Sequence, residues 1–438
     1  MPPARSVGCT THLLIIGALL CAVLGYGIVQ NLNTVSLMVD NLTIMNEQAS
    51  QADALRSTAA LVDYLAAHPD RASLVAYDVG ARDEGLFYGA DTPRPLTGVP
   101  RLLLLGEYAR RVEAGRLDPK TRVPLDSVDL YALPGSSRRP HQQARARLVA
   151  QGHVGPDSTA ALRHLARSAF RRDDPAAADW LLRRLGRPAL RQTPDRLGLP
   201  NADPPLPNSG VHLLWGHHEQ AASPAARIDT LAALPAPARA RRAYRALNRL
   251  RRDSAFRRTE RTRRSRRGSG LSLRRQRTLA RHTAPRGTAV AYADLLRRVA
   301  TGTLSPPGVP GRMQAHLERT IEADSVGLSL RAVASIGGAT PGLISLAGYA
   351  RREGDAPPRV MVLLLERLPM AVFYHLLQTG LDKGLLLRVL GDDSFFARVR
   401  DTLQTEPTEA GDALSGRTPP APQPHPGPHR PVAPLTVR

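Results

Sequence analysis

The sequence predicts an α/β (α+β) fold in which one antiparallel sheet is assembled from both ends of the chain and covered by helices. Two strand-like runs come early, at Ser73 to Val79 and at Leu86 to Tyr88. Three more return late, at Leu328 to Ser335, Leu343 to Tyr349 and Val360 to Leu365. The long stretch between them has helical periodicity instead. Of the 438 residues, 42% are apolar and only 4% aromatic, so aliphatic side chains and alanine must fill the core.

The elements follow in order. Leu13 to Val29 carry no charge over 17 residues, the short end of a membrane-spanning helix. Arg5 precedes this run and Asp40 is the first charge after it, which puts residues 1–12 in the cytoplasm and the bulk of the chain outside. A cleaved signal peptide is the competing reading, but no small-x-small cleavage site follows the run. The expectation is therefore a single-pass, uncleaved anchor at the cell membrane. Residues 30–59 read as a helical stalk, with spaced Leu37, Leu42, Met45 and Leu55. A folded domain is expected over 60–403.

Within it, the first strand pair turns through Gly80 to Gly85. Leu102 to Ala114 reads as a helix stopped by Gly115. Residues 157–199 read as helical, and Pro200 to Gly210 as a loop. Tyr292 to Ala300 form a helix ending at Thr301-Gly302, and a last helix runs between Leu385 and Leu403. From Thr405 the chain is Pro-rich without apolar pattern, a disordered tail over about 404–438.

The formal charge of +22 is concentrated. Arg241 to Arg286 hold 18 arginines against Asp253 and Glu260. A solvated helical face in a composition-biased chain is one reading of this segment, and contact with anionic lipid or cell-wall polymer is the other. Tyr244 and Phe256 are its only aromatics, and it lies on the outer side of the membrane, so nucleic acid is disfavoured. Both cysteines, Cys9 and Cys21, fall in the first 21 residues, which leaves the rest without a disulfide or Cys-based metal site. No P-loop, G-x-G-x-x-G, H-E-x-x-H or G-x-S-x-G motif occurs, so no cofactor or metal is implied. Ser136, Ser137 and His141 read as a surface loop. His212, His217, His218 and Glu219 cluster near Trp215, but adjacent histidines point apart on any regular element.

Four landmarks in order carry a resemblance. They are Leu96 to Asp118, Asp173-Asp174-Pro175-Ala176-Ala177-Ala178-Asp179-Trp180-Leu181-Leu182, His282 to Gly302, and Ile336-Gly337-Gly338-Ala339-Thr340-Pro341-Gly342. Together they resemble the class A β-lactamase-like serine hydrolases, the penicillin-recognising family, over roughly residues 60 to 400. The resemblance implies a β-lactamase/transpeptidase-like fold with a helical subdomain over about 100–300, and acyl transfer through a serine ester.

At the family's motif positions this chain departs from the pattern. The nucleophile position holds Gly98 and the base position Arg101, whose guanidinium stays charged and cannot take a proton. The proton-shuttle and substrate-amide positions hold Asp173 and Pro175. The cation position holds Ile336, while Gly338 keeps the small residue of the strand edge. Of the 60 basic residues only Lys120 and Lys383 are lysine, and neither follows a serine at the S-x-x-K spacing. The loop expected to carry a deacylating glutamate has Asp203 instead, with Glu219 further on. Thr97 adjoins the vacant position and carries a hydroxyl. The expectation is a catalytically inactive member acting as a binding or interaction protein. The alternatives are an active hydrolase of β-lactams or related amides and esters with nonstandard residues, and a basic module for anionic lipid or wall polymer.

Overall fold

The computed structural model describes residues 41–46, 48–216, 223–267, 270–320, 328 and 330–404. The apolar run Leu13 to Val29, His217, His218, Glu219 and the Pro-rich tail lie outside the described residues. Among the described residues no helix is long and apolar enough to cross a membrane.

The chain enters through helix α1 (Thr58–Ala66), started by Ser57, whose Oγ accepts from the Ala60 N–H at 3.1 Å. Strands β1 (Ala72–Asp78) and β2 (Ala81–Tyr88) form the early hairpin. After the short strand β3 (Arg94–Pro95) come α2 (Arg101–Glu113), β4 (Arg122–Pro124), α3 (Arg138–Ala150), β5 (Thr159–Ala161), α4 (Leu162–Arg171) and α5 (Pro175–Leu185). The helical run continues through α6 (Asn208–Leu214), α7 (Ala236–Arg252), α8 (Ser254–Arg267) and α9 (Leu273–Thr283). Strand β6 (Arg286–Gly287), α10 (Ala289–Thr301) and α11 (Gly308–Leu317) lead back to the sheet. Strands β7 (Glu318–Thr320), β8 (Leu330–Thr340), β9 (Leu343–Arg352) and β10 (Arg359–Leu365) complete it, followed by α12 (Met370–Thr379), α13 (Leu381–Gly391) and α14 (Asp393–Gln404).

The six-stranded sheet has the order β2-β1-β10-β9-β8-β7, antiparallel throughout. Its centre joins the two ends of the chain, with Ala72 opposite Leu365 and Asp78 opposite Arg359. Strand β10 is buried along its whole length because helices cover both faces. One face packs Val75, Tyr77, Val362 and Leu364 against α2, α5 and α10. The other packs Leu74, Leu363 and Leu365 against α1 and α12 to α14. The sheet from both chain ends and its helical cover are therefore as the sequence indicates.

Several local expectations change. The presumed last helix is interrupted at Asp392, which is extended and accepts from the Phe395 N–H at 2.9 Å, so one helix ends and another starts there. The loop from Pro200 gives way at Asn208 to α6, because the buried Asp179 carboxylate accepts the first free N–H groups of that helix, from Asn208 at 2.7 Å and Ser209 at 2.8 Å. The segment read as a stalk is docked over its described part. Ile44 and Leu55 are buried, and Asn41 Oδ1 accepts from the Leu273 N–H at 2.8 Å. Ser137 and His141 are not in a surface loop but buried at the start of α3.

Candidate functional site

A cleft of about 450 Å³ opens where the start of α2, the α4–α5 turn, α6 and the end of β8 meet. Gly98, Arg101, Asp173, Pro175 and Gly338 all line it, so five of the six positions singled out in the sequence converge. Ile336 does not. It lies two residues before Gly338, only 3% exposed, within the apolar core. A residue at that register serves packing here.

The turn into α2 decides what the cleft can do. Gly98 has φ +78°, a left-handed conformation that other residues adopt at a cost. A Cβ built on Gly98 would fall 2.2 Å from Gly337 O and 2.5 Å from the Gly338 nitrogen. No side chain fits in that gap. Any side chain at the position that the resemblance assigns to the nucleophile would meet the β8 backbone.

Arg101 fastens this closure. Its Nη2 donates to Gly337 O on β8, and its Nε to Gly98 O at 3.2 Å. Its Nη1 donates to Ala169 O of α4 at 3.2 Å and pairs with Asp173 Oδ1 at 2.6 Å. The side chain is 14% exposed. One guanidinium therefore holds the start of α2, the end of α4 and β8 together, using the fixed fork that lysine lacks. Thr97 is held as well. Its N–H donates to Ser345 Oγ at 3.1 Å, and its hydroxyl shares a hydrogen bond with Thr340 at 2.9 Å. Beside it stands the Arg101 guanidinium.

Beneath the rim lies a polar frame that sequence reasoning missed. Asp174 caps α5, its Oδ1 accepting from Ala176 and Ala177 N–H groups at 3.1 Å. It also faces His141 Nδ1 at 3.0 Å, while His141 Nε2 meets Asp129 Oδ1 at 2.7 Å. Burial opposes charge on this imidazole, but hydrogen bonds to Asp129 and Asp174 outweigh it and push the pKa up to about 9. Asp179 is buried, which raises its carboxyl to about 7 against the pull of the Asn208 and Ser209 N–H groups. The available signal was the Asp-Pro start of a helix, read as a substrate motif and not as a cap.

Asp203 does not face the cleft. It pairs with β6, its Oδ2 accepting from the Arg286 N–H at 2.9 Å. His212 does line the cleft, half-buried against Trp215 with ring centroids 4.6 Å apart, and burial pushes its pKa down to about 3. Arg264 joins it there, donating to His212 O at 2.6 Å and to Glu260 at 3.2 Å.

A profile of the Beta-lactamase enzyme family matches residues 56–363. Comparison with curated proteins finds no match. Among solved structures, the chain is similar to a β-lactamase from Sphaerobacter thermophilus, at 15% identity over 81% of this chain and 99% of that one, with a TM-score of 0.45. It is similar to PBP-A at 14% identity, over 77% of this chain and 95% of that one, with the same TM-score of 0.45. The class A β-lactamase of the last common ancestor of Gram-negative bacteria aligns at 16% identity over 73% and 99%, with a TM-score of 0.39. The match over most of the chain, with its sheet built from both ends, means that this protein belongs to the Beta-lactamase enzyme family.

Proposed function

We propose that this protein is a catalytically inactive member of its family that keeps the cleft as a binding site. One observation carries the reading: the gap at Gly98 admits no Cβ, and the Arg101 guanidinium holds it shut. Acyl transfer through serine needs a hydroxyl, a base one helical turn on and space for a tetrahedral centre. The residues at Gly98, Arg101 and Asp173 offer none of the three. What remains is a cleft with hydrogen-bonding groups at Thr97, Thr340 and Asn208 and apolar walls from Leu96, Val211 and Trp215.

The test is covalent labelling. The purified protein is incubated with a fluorescent penicillin and separately with a fluorophosphonate, beside an active relative as control. No adduct is expected with either. A stoichiometric adduct blocked by unlabelled penicillin sinks the proposal in favour of a hydrolase with nonstandard residues.

The arginine segment supports a second reading, with a changed location. Much of α8 is occupied internally: Arg257 donates to Leu250 O and Arg251 O, Arg261 to Asp129 O, and Arg263 and Arg264 to Glu260. By contrast, Arg241 and Arg245 line a cavity of about 410 Å³ with Arg183 and Arg187, and no carboxylate lines it. Contact with anionic lipid or wall polymer is proposed for these four. Anchoring through Leu13 to Val29, with the folded domain outside the membrane, belongs to the same proposal and rests on the charge asymmetry of the sequence. Sedimentation with anionic vesicles should weaken when Arg241 and Arg245 are changed to glutamine. Unchanged sedimentation refutes the location.

A further inference from the structure

Away from the cleft, α4 carries a second basic surface that the arginine-rich segment does not include. Arg163, Arg167 and Arg171 recur every four residues and so share one helix face, with Arg172 directly after. Like charges at this spacing repel, yet among the described residues none of these four pairs with a carboxylate. The guanidinium groups of Arg171 and Arg172 are held below their ordinary pKa, first by burial and then by neighbouring arginines including Arg167 and Arg319. Fold stability alone gives no reason for such an arrangement.

A cavity of about 280 Å³ adjoins this face. Arg163, Arg167 and Arg312 line it together with His164, His316 and Tyr108. Arg312 is fixed by Glu113 at 2.5 Å. His316 is 8% exposed and meets the Tyr108 ring edge-on at 5.2 Å, and its Nδ1 is buried without a hydrogen-bond partner. Burial first, and then nearby cationic side chains, pull both imidazoles down to about 4, so they are neutral near pH 7. The cavity therefore combines guanidinium forks with neutral, flat inner walls.

Guanidinium groups match phosphate oxygens in geometry and charge. The cavity sits just below the ~300 Å³ at which ligand pockets begin, so its occupant is small. A bare anion would leave the aromatic walls unused. We propose that this cavity binds a small phosphate monoester, its phosphate between Arg163 and Arg167 and its apolar group inside against Tyr108 and His316.

Calorimetry with phenyl phosphate on the full chain tests this. Phenyl phosphate should bind about tenfold more tightly than inorganic phosphate. The Arg163→Gln/Arg167→Gln variant should lose at least about tenfold in affinity, and Arg274→Gln/Arg275→Gln, an equal loss of exposed charge elsewhere, should lose nothing. The His316 ring resonances should shift on titration. Absence of binding at millimolar phenyl phosphate, equal affinity for inorganic phosphate, or equal losses in the two double variants overturns the proposal. Should the first double variant fail to fold, Arg167→Gln alone carries the same comparison. Vesicles containing phosphatidic acid separate the sources: capture of the wild type by vesicles, with phenyl phosphate inert, rejects the cavity and assigns the arginines to a membrane surface.

Discussion

At the rim of the cleft, Gly98, Arg101 and Asp173 hold one another through contacts that reacting groups would have to break. Just beneath, Asp174, His141, Asp129 and Asp179 form a buried frame in which the carboxylates serve helix starts and a histidine. Asp173 and Asp174 are neighbours in sequence and fall on opposite sides of this division. The Asp173 side chain is 65% exposed and replaceable, whereas Asp174 is 1% exposed and engaged by three groups. The frame is buried and joins helix starts to a histidine, whereas part of the rim is open to solvent.

Four substitutions sharpen this comparison. Asp174→Ala should have the largest effect, since it removes a helix cap and leaves His141 with one partner. A loss of about 3–5 kcal/mol in urea unfolding is expected, the range for breaking a buried ionic group. Gly98→Ser should come next. It forces a Cβ into the β8 backbone and a left-handed φ on serine, costing roughly 2–4 kcal/mol by overpacking and strain, and it should not restore penicillin labelling. Labelling in Gly98→Ser would mean that the gap opens readily and that the closed rim does not control activity.

His141 supplies a pH test. Its folded pKa of about 9 lies above the ordinary value of 6.5. Its contribution is therefore fully present below about pH 6.5 and lost as pH rises through 9. Wild-type stability should fall over that window, on the order of 2 kcal/mol, relative to His141→Gln. Parallel profiles for the two proteins would remove the frame's charge from the account. Arg101→Met should be the mildest, about 1 kcal/mol, because much of the interaction is with backbone carbonyls at a half-open rim.

The sheet was legible because its signals are local. Apolar runs such as Val360 to Leu365 announce buried strands, and the Asp-Asp-Pro-Ala-Ala-Ala run announces a helix start wherever it occurs. The closed gap was not legible. Glycine at position 98 reads as an absent serine, and only the approach of Gly337, far along the chain, makes it an obligatory glycine. The same limit hid the frame: His141 and Asp174 lie 33 residues apart on different helices. It also left the charge argument open, since a run of arginines does not reveal how many are turned inward onto carbonyl oxygens.

The pairing of β1 with β10 has a consequence for biogenesis. Ala72 waits for Leu365, so the inner edge of β1 has no partner until nearly the whole domain has been synthesised. Contacts of such sequence separation are slow to form. The early hairpin leaves the ribosome with one edge of β1 unsatisfied, an invitation to association that lasts for the rest of translation. The sheet is sealed only after the last strand has arrived.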